Sequence, residues 1–147
     1  MLASLLPITN GAVLELGAGF NSTPLLYWYC KAQGRMFRSY ENDKAWCEKM
    51  GDFTKYIEDW EKAPIDNILW SIVLIDHRPA LRRKEDARRL KDNAEYIVMH
   101  DSEPEIDKFY KYTWIYKHFK YRHDFTLLKP NTTILSNFTD PELAFMY

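Results

Sequence analysis

The sequence predicts an α/β fold in three layers, a mostly parallel sheet with helices on both faces. Three observations predict it. Short apolar stretches alternate with helical ones along the chain, which is the pattern of successive βα units. Ser71-Ile72-Val73-Leu74-Ile75-Asp76 is continuous, β-branched and bounded by charge, as suits a strand covered on both faces. Gly17-Ala18-Gly19 joins a strand to a helix, a turn beyond a strand's carboxyl end, where open α/β sheets place their ligands.

The elements follow in order. Ala12 to Leu16 reads as a buried strand, and Ser22 to Ala32 as the next helix, capped by Asn21 or Ser22. Arg35 to Glu41 is a second strand introduced by Gly34. Asp43 to Met50 is a helix stopped by Gly51, and Phe53 to Ile57 a short third strand. Ser71 to Asp76 is the central strand, and Pro79 opens a helix over Ala80 to Asn93. Tyr96 to Met99 is another buried strand, and Glu103 to about Tyr116 one aromatic and basic helix. Tyr121 to Leu127 and Thr132 to Asn137 form a hairpin around Lys129-Pro130-Asn131.

At 147 residues, 46% of them hydrophobic, the chain forms one domain spanning 1–147. Its net charge of −1 provides no global field toward nucleic acid or membrane. Cys30 and Cys47 match no zinc or redox spacing and read as free thiols of a reducing compartment. No apolar run reaches membrane-spanning length. Met1 to Pro7 is too short, and lacks the basic residues, for a signal peptide. These features lead us to expect a cytoplasmic protein.

The first strand ends in Glu15-Leu16-Gly17-Ala18-Gly19-Phe20-Asn21-Ser22. Ser22 stands where a dinucleotide fingerprint has its third glycine. Glu15 would repel a pyrophosphate and suits a cationic ligand. S-adenosylmethionine has an ammonium and a sulfonium and no phosphate. Glu41 ends the second strand, where a carboxylate accepts from ribose hydroxyls, with Asn42 against the adenine edge. Asp59-Trp60 follows the third strand, an acid for the adenine amine and a ring to stack on it.

In this order the sequence resembles class I S-adenosylmethionine-dependent methyltransferases. The matching residues are Val13-Leu14-Glu15-Leu16-Gly17-Ala18-Gly19, Tyr40-Glu41, Asp59-Trp60 and Ile75-Asp76-His77. The resemblance implies a Rossmann-like three-layer sandwich whose seven-stranded sheet runs 3-2-1-4-5-7-6, with strand 7 antiparallel. It also implies cofactor contacts from Glu15, Gly17, Ala18, Gly19, Asn21, Ser22, Thr23, Glu41, Asn42, Asp59, Trp60 and Asp76.

Asp76-His77-Arg78 and His100-Asp101-Ser102-Glu103 end neighbouring strands, so the two groups should face each other across ~5 Å. Methyl transfer needs a positioned acceptor and removal of its proton. His77 is the candidate base beside Asp76, Arg78 the holder of an anionic group, and His100 with Asp101 the opposing pair. Asp76, Asp101 and Glu103 could instead hold Mg²⁺. That reading is not favoured, because the Asp-Asn pair of metal-dependent relatives is missing, so no metal is expected.

The acceptor expected from these features is a small hydroxylated molecule or a sugar; the alternatives are another use of the same cofactor, by hydrolysis, lysis or methylation of RNA or protein, and a non-catalytic nucleotide-binding module. The fourth motif lacks the Asn/Asp-Pro-Pro-aromatic run of amino-directed nucleic-acid methyltransferases. The basic residues Arg82, Arg83, Lys84, Arg88, Arg89 and Lys91, and the lysines that interleave with aromatics after Lys108, read as one solvated face and one packed face of the same elements. Nucleic acid is therefore not an expected partner. Apolar Leu2, Leu5 and Leu6, with the surplus aromatics, suggest a homo-oligomer contact.

Overall fold

The computed structural model describes residues 1–146. Its elements are α1 (Leu2–Leu5), β1 (Ala12–Leu16), α2 (Ser22–Ala32), β2 (Phe37–Glu41), α3 (Lys44–Met50), β3 (Lys55–Tyr56), β4 (Trp70–Ile75), α4 (Arg82–Leu90), β5 (Ala94–His100), α5 (Asp107–Tyr110), α6 (Thr113–Tyr116), β6 (Tyr121–Phe125) and β7 (Thr132–Ser136). Among the described residues, seven strands form one sheet in the order β3-β2-β1-β4-β5-β7-β6. β7 runs antiparallel to β5 and β6, and the other pairs are parallel. This is the Rossmann-like order implied by the resemblance.

The apolar strands divide their side chains between two cores by simple alternation. Leu14, Leu16, Val73, Ile75, Ile97 and Met99 pack on the face covered by α4 and α6. Val13, Ile72, Leu74, Tyr96 and Val98 pack on the face covered by α2 and α1. A strand with two covered faces has no solvated side, which explains the unbroken apolar run at 72–75.

Four local expectations give way. Leu5 and Leu6 lie in the second core, fully or nearly fully buried. Their apolar surface is spent within the chain, so it does not indicate a homo-oligomer contact. Arg35 is not a strand residue. Its guanidinium donates to the carbonyls of Leu6, Thr9 and Gly11 and to the Thr9 and Ser71 hydroxyls, fixing the segment that carries α1. The third strand shrinks to Lys55–Tyr56, because Gly51–Phe53 winds into a 3-10 turn. The helix expected over Glu103 to Tyr116 breaks at Lys111, which adopts φ +54. Asp107 stabilises the break by accepting from the Thr113 amide and hydroxyl.

Candidate active site

β1 and β4 are neighbours, and the Asp76 amide donates to the Leu16 carbonyl at 2.8 Å. The Gly17 turn therefore lies directly on the segment after β4. Gly17 has φ +94, and a Cβ there would sit 2.5 Å from the His77 backbone nitrogen. Only glycine permits both the conformation and the approach.

The amides of this loop are used inside the protein. Gly17 N donates to the Tyr40 carbonyl at 2.9 Å, Ala18 N to Glu41 Oε2 at 3.0 Å, and Gly19 N to Thr23 Oγ1 at 2.9 Å. Thr23 Oγ1 and Ser39 Oγ both donate to Glu15 Oε2, each at 2.7 Å. Glu15 is fully buried beneath the loop, and its Oε1 has no partner. Burial pushes its carboxyl up to about 7, against the pull of its hydroxyl donors. Glu15 was expected to face a ligand; here it supports the loop from below. The expected caps Asn21 and Ser22 make no side-chain bond to the α2 amides.

A cleft of about 790 Å³ opens beside the loop, bordered by Ala18, Glu41, Asn42, Trp46, Asp76, Arg78 and the main chain of His77, whose side chain has no exposed surface. Glu41 is nearly buried, and its Oε1 accepts from the amides of Asn42 and Asp43 at 2.8 Å each. Trp46 donates from Nε1 to the Ala18 carbonyl at 2.7 Å and meets the exposed Phe20 ring edge-on at 4.6 Å. Sequence reasoning missed Trp46. It lies in the first turn of α3, just after the Glu41 strand end, and that position was the available signal.

Asp59 and Trp60 are not in this cleft. Asp59 accepts from the Glu61 amide. Trp60 is buried, donates to the Arg78 carbonyl at 2.7 Å and stacks on His77 at 4.2 Å. The proposed adenine contacts are therefore structural supports. The His77 ring is sealed in as well. It is 1% exposed, its Nε2 lies 2.9 Å from Asp86 Oδ2, and its Nδ1 is buried. A ring enclosed by Trp60 and Asp86 cannot reach an acceptor, so His77 is not placed as a base. Burial would raise Asp86, but the hydrogen bonds of His77 and Arg82 outweigh it and hold Asp86 low.

The other acid–histidine group does assemble. His100 Nδ1 lies 3.0 Å from Asp101 Oδ1 and 3.4 Å from Asp76 Oδ1. Those carboxylates, Asp101 first, push His100 up to about 9. The His100 contact in turn holds Asp101 low. Asp101 has φ +56, a left-handed conformation that turns its carboxylate back onto His100. Arg83 ties the two strand ends together. It donates from Nε to the His77 carbonyl, and its terminal nitrogens lie 2.9 Å from Asp76 Oδ1 and from Asp101 Oδ2. Tyr110 donates to Asp101 Oδ2 at 3.0 Å, and its ring faces the Arg83 guanidinium. Arg83 belongs to the packed face of α4, not the solvated one, for it is buried.

One ligand atom each from Asp76, His100 and Asp101 lies within 4.8 Å of the others. The group does not suit a metal, because the Arg83 guanidinium already holds both carboxylates. Glu103, the third expected Mg²⁺ ligand, accepts instead from the Asn131 amide at 3.0 Å.

Asp76 borders three cavities. One is the Glu41 cleft. A second, of about 490 Å³, is bordered by Phe20, Asn21, Ser22, Leu25, Val98 and His100. A third, of about 420 Å³, is bordered by Arg78, Arg83, His100, Asp101 and Tyr110. Asn21 and Ser22 therefore lie across the loop from the Glu41 cleft.

No protein-family model and no curated protein matches this sequence. Solved structures do match the fold. The hMettl16 catalytic domain in complex with the MAT2A 3′UTR hairpin 1 superposes with a TM-score of 0.60 at 11% identity, over 95% of this chain and 69% of that one. TrmK of M. capricolum with S-adenosyl-homocysteine has a TM-score of 0.51 at 12% identity, over 95% and 69%. Sp1610 of Streptococcus pneumoniae with S-adenosyl-L-methionine has 0.51 at 13%, over 95% and 72%. The chain spans about seven-tenths of each. The expectation of a small-molecule or sugar acceptor, with no nucleic-acid partner, is overturned here, because one of these matching domains holds an RNA hairpin. The absence of one amino-methylation motif and a balanced net charge were too coarse to exclude RNA, since net charge says nothing of how charge is distributed. Strand order, loop and superposition together show that the chain has the fold of the class I S-adenosylmethionine-dependent methyltransferases.

Proposed function

We propose that the chain binds S-adenosylmethionine in the Glu41 cleft and transfers its methyl group to RNA. One observation carries the cofactor reading: the loop amides of Gly17, Ala18 and Gly19 are all engaged internally. A pyrophosphate would find no free donor there. A cationic nucleoside without phosphate meets instead the carboxylates of Glu41 and Asp76. An ionised carboxylate offers roughly four acceptor sites, and backbone amides take three of those on Glu41. One remains for a ribose hydroxyl. Trp46 and Asn42 wall the nucleoside.

The cofactor supplies an electrophilic methyl group when bound, and the chain's own residues position the acceptor for in-line attack. Asp76 stands where the cofactor cleft meets both other cavities, so it is placed to accept a hydrogen bond from the incoming base. Arg83 and His100 hold its carboxylate in orientation. The carboxylates of Asp101 and Asp76 push His100 up to about 9, which suits it to hold Asp76 as a cation rather than to act as a base. The RNA acceptor is supported by the hairpin held by one matching domain.

Calorimetric titration tests the cofactor. S-adenosylmethionine and S-adenosylhomocysteine should bind with NAD silent, and saturable NAD binding in their place overturns the reading. Glu41→Ala should weaken cofactor binding about tenfold, the loss of ~1.4 kcal/mol. Asp76→Asn should depress turnover far more than cofactor affinity. Labelled methyl should appear in the RNA fraction of an extract, and label confined to small molecules sinks the acceptor assignment.

A further inference from the structure

Beside the cavity bordered by Asp76, Arg78 and Tyr110 lies a surface that the reading above does not use. Trp114 of α6 is 67% exposed. Lys84 of α4 and Lys111, between α5 and α6, place their Nζ atoms 5.6 and 5.8 Å from the Trp114 ring. Lys108 stands 4.9 Å from the ring of Phe109, which is also exposed. Lys111 adopts φ +54 without being glycine, a conformation that persists only where something holds or uses it.

We propose that this surface, centred on Trp114, is the track on which an RNA strand approaches the Asp76 cavity. The proposal rests on the RNA reading above and assigns it a docking face. The exposed indole offers a stacking platform to a base that displaces the lysines resting over its ring, and those lysines suit the phosphates before and after that base. Lysine is depleted at the cores of protein–protein interfaces, so a ring flanked by two ammonium groups is poorly suited to a protein partner. Lys84 is paired with Glu85 at 2.9 Å. Lys84 is mostly covered and Glu85 half-exposed, so solvent screens the contact from the Glu85 side and a phosphate can replace it. The track leads to the cleft along the chain itself: Lys84 follows Arg83, and Lys111 follows Tyr110, both of which border the cavity.

The test measures fluorescence anisotropy of a fluorescein-labelled, mixed-sequence RNA hairpin with single-stranded flanks, alongside calorimetric S-adenosylmethionine binding. Trp114→Ala should bind this RNA about tenfold more weakly, the loss of one stacked base. Lys84→Ala combined with Lys111→Gly should reduce the slope of log affinity against log salt by about 1.4, two single-strand phosphate contacts. Lys111→Gly alone relieves the left-handed backbone, so its melting temperature should hold or rise while RNA affinity falls. Cofactor affinity should be unchanged in all of them. If the wild-type protein binds RNA and these variants bind it equally well, the track is wrong and the RNA reading stands. If the wild-type protein binds no RNA, both fall. If polyglutamate displaces the RNA at equal charge, the surface serves an acidic protein and the proposal is overturned.

Discussion

Glu15 and Glu41 flank one loop, and their environments separate them. Glu41 accepts hydrogen bonds from three backbone amides. Glu15 draws only on hydroxyls, with Thr23 and Ser39 donating to Oε2 and Ser22 nearby, and its Oε1 has no partner. Burial therefore dominates and raises it from 4.5 to about 7. The folded protein then binds this proton more tightly than the unfolded chain does. The stabilisation is complete below about 4.5 and is lost as pH rises through 7. Thermal melting of the wild type should thus fall between about pH 5 and about pH 8 by a component that Glu15→Gln lacks. Parallel melting curves for the two proteins would exclude Glu15 as the source. His100 is also raised, but by its carboxylate partners. Its contribution is complete below 6.5 and is lost as pH rises through about 9, a later window.

At the scale of elements, α4 shows how a helix face can mislead when charge is read without periodicity. Arg83, Asp86, Ala87 and Leu90 are its buried residues, and they recur with helical spacing. That spacing marks Arg83 and Asp86 as facing the sheet, a signal present in the sequence and hidden by the surrounding arginines. Asp86 fixes His77, and Arg83 fixes the ends of β4 and β5. Arg83→Met should cost on the order of 3–5 kcal/mol, because two carboxylates lose their shared cation. Arg83→Lys should rescue little, since one ammonium cannot reproduce the planar fork. Urea unfolding should show a lower midpoint at unchanged slope in both variants. A midpoint equal to that of the wild type would remove Arg83 from this role. The break between α5 and α6 belongs at this scale too, for it places Lys111 beside Trp114 and Tyr110 beside Asp101.

Across the whole molecule, α1 closes the second core from outside the sheet. Leu5 is fully buried among Val13, Leu26, Ile72 and Ile134. Leu5→Ala should therefore cost about 2–5 kcal/mol, the range for a buried Leu truncated in place. Its melting temperature should fall clearly below that of the wild type, and equal melting would show that α1 packs only loosely. The same sheet puts Asp76 at the meeting point of three cavities. Parallel strands deliver every βα turn to one edge, and there the β1 loop, the β4 end and the β5 end converge.

The strand–helix alternation, the loop at Gly17 and the carboxylates at Glu41, Asp76 and Asp101 were legible from the residues alone, because local periodicity and strand ends are properties of short segments. Burial of Glu15, enclosure of His77 by Trp60 and Asp86, and the role of Arg83 were decided by tertiary structure. Each depends on which side chains from distant segments share a space, and a strand-end histidine followed by arginine can face either the cleft or the core. In this chain the Trp60 indole and the Asp86 carboxylate hold His77 on the core side, and the acid–histidine contact at the strand ends is the one among Asp76, His100 and Asp101.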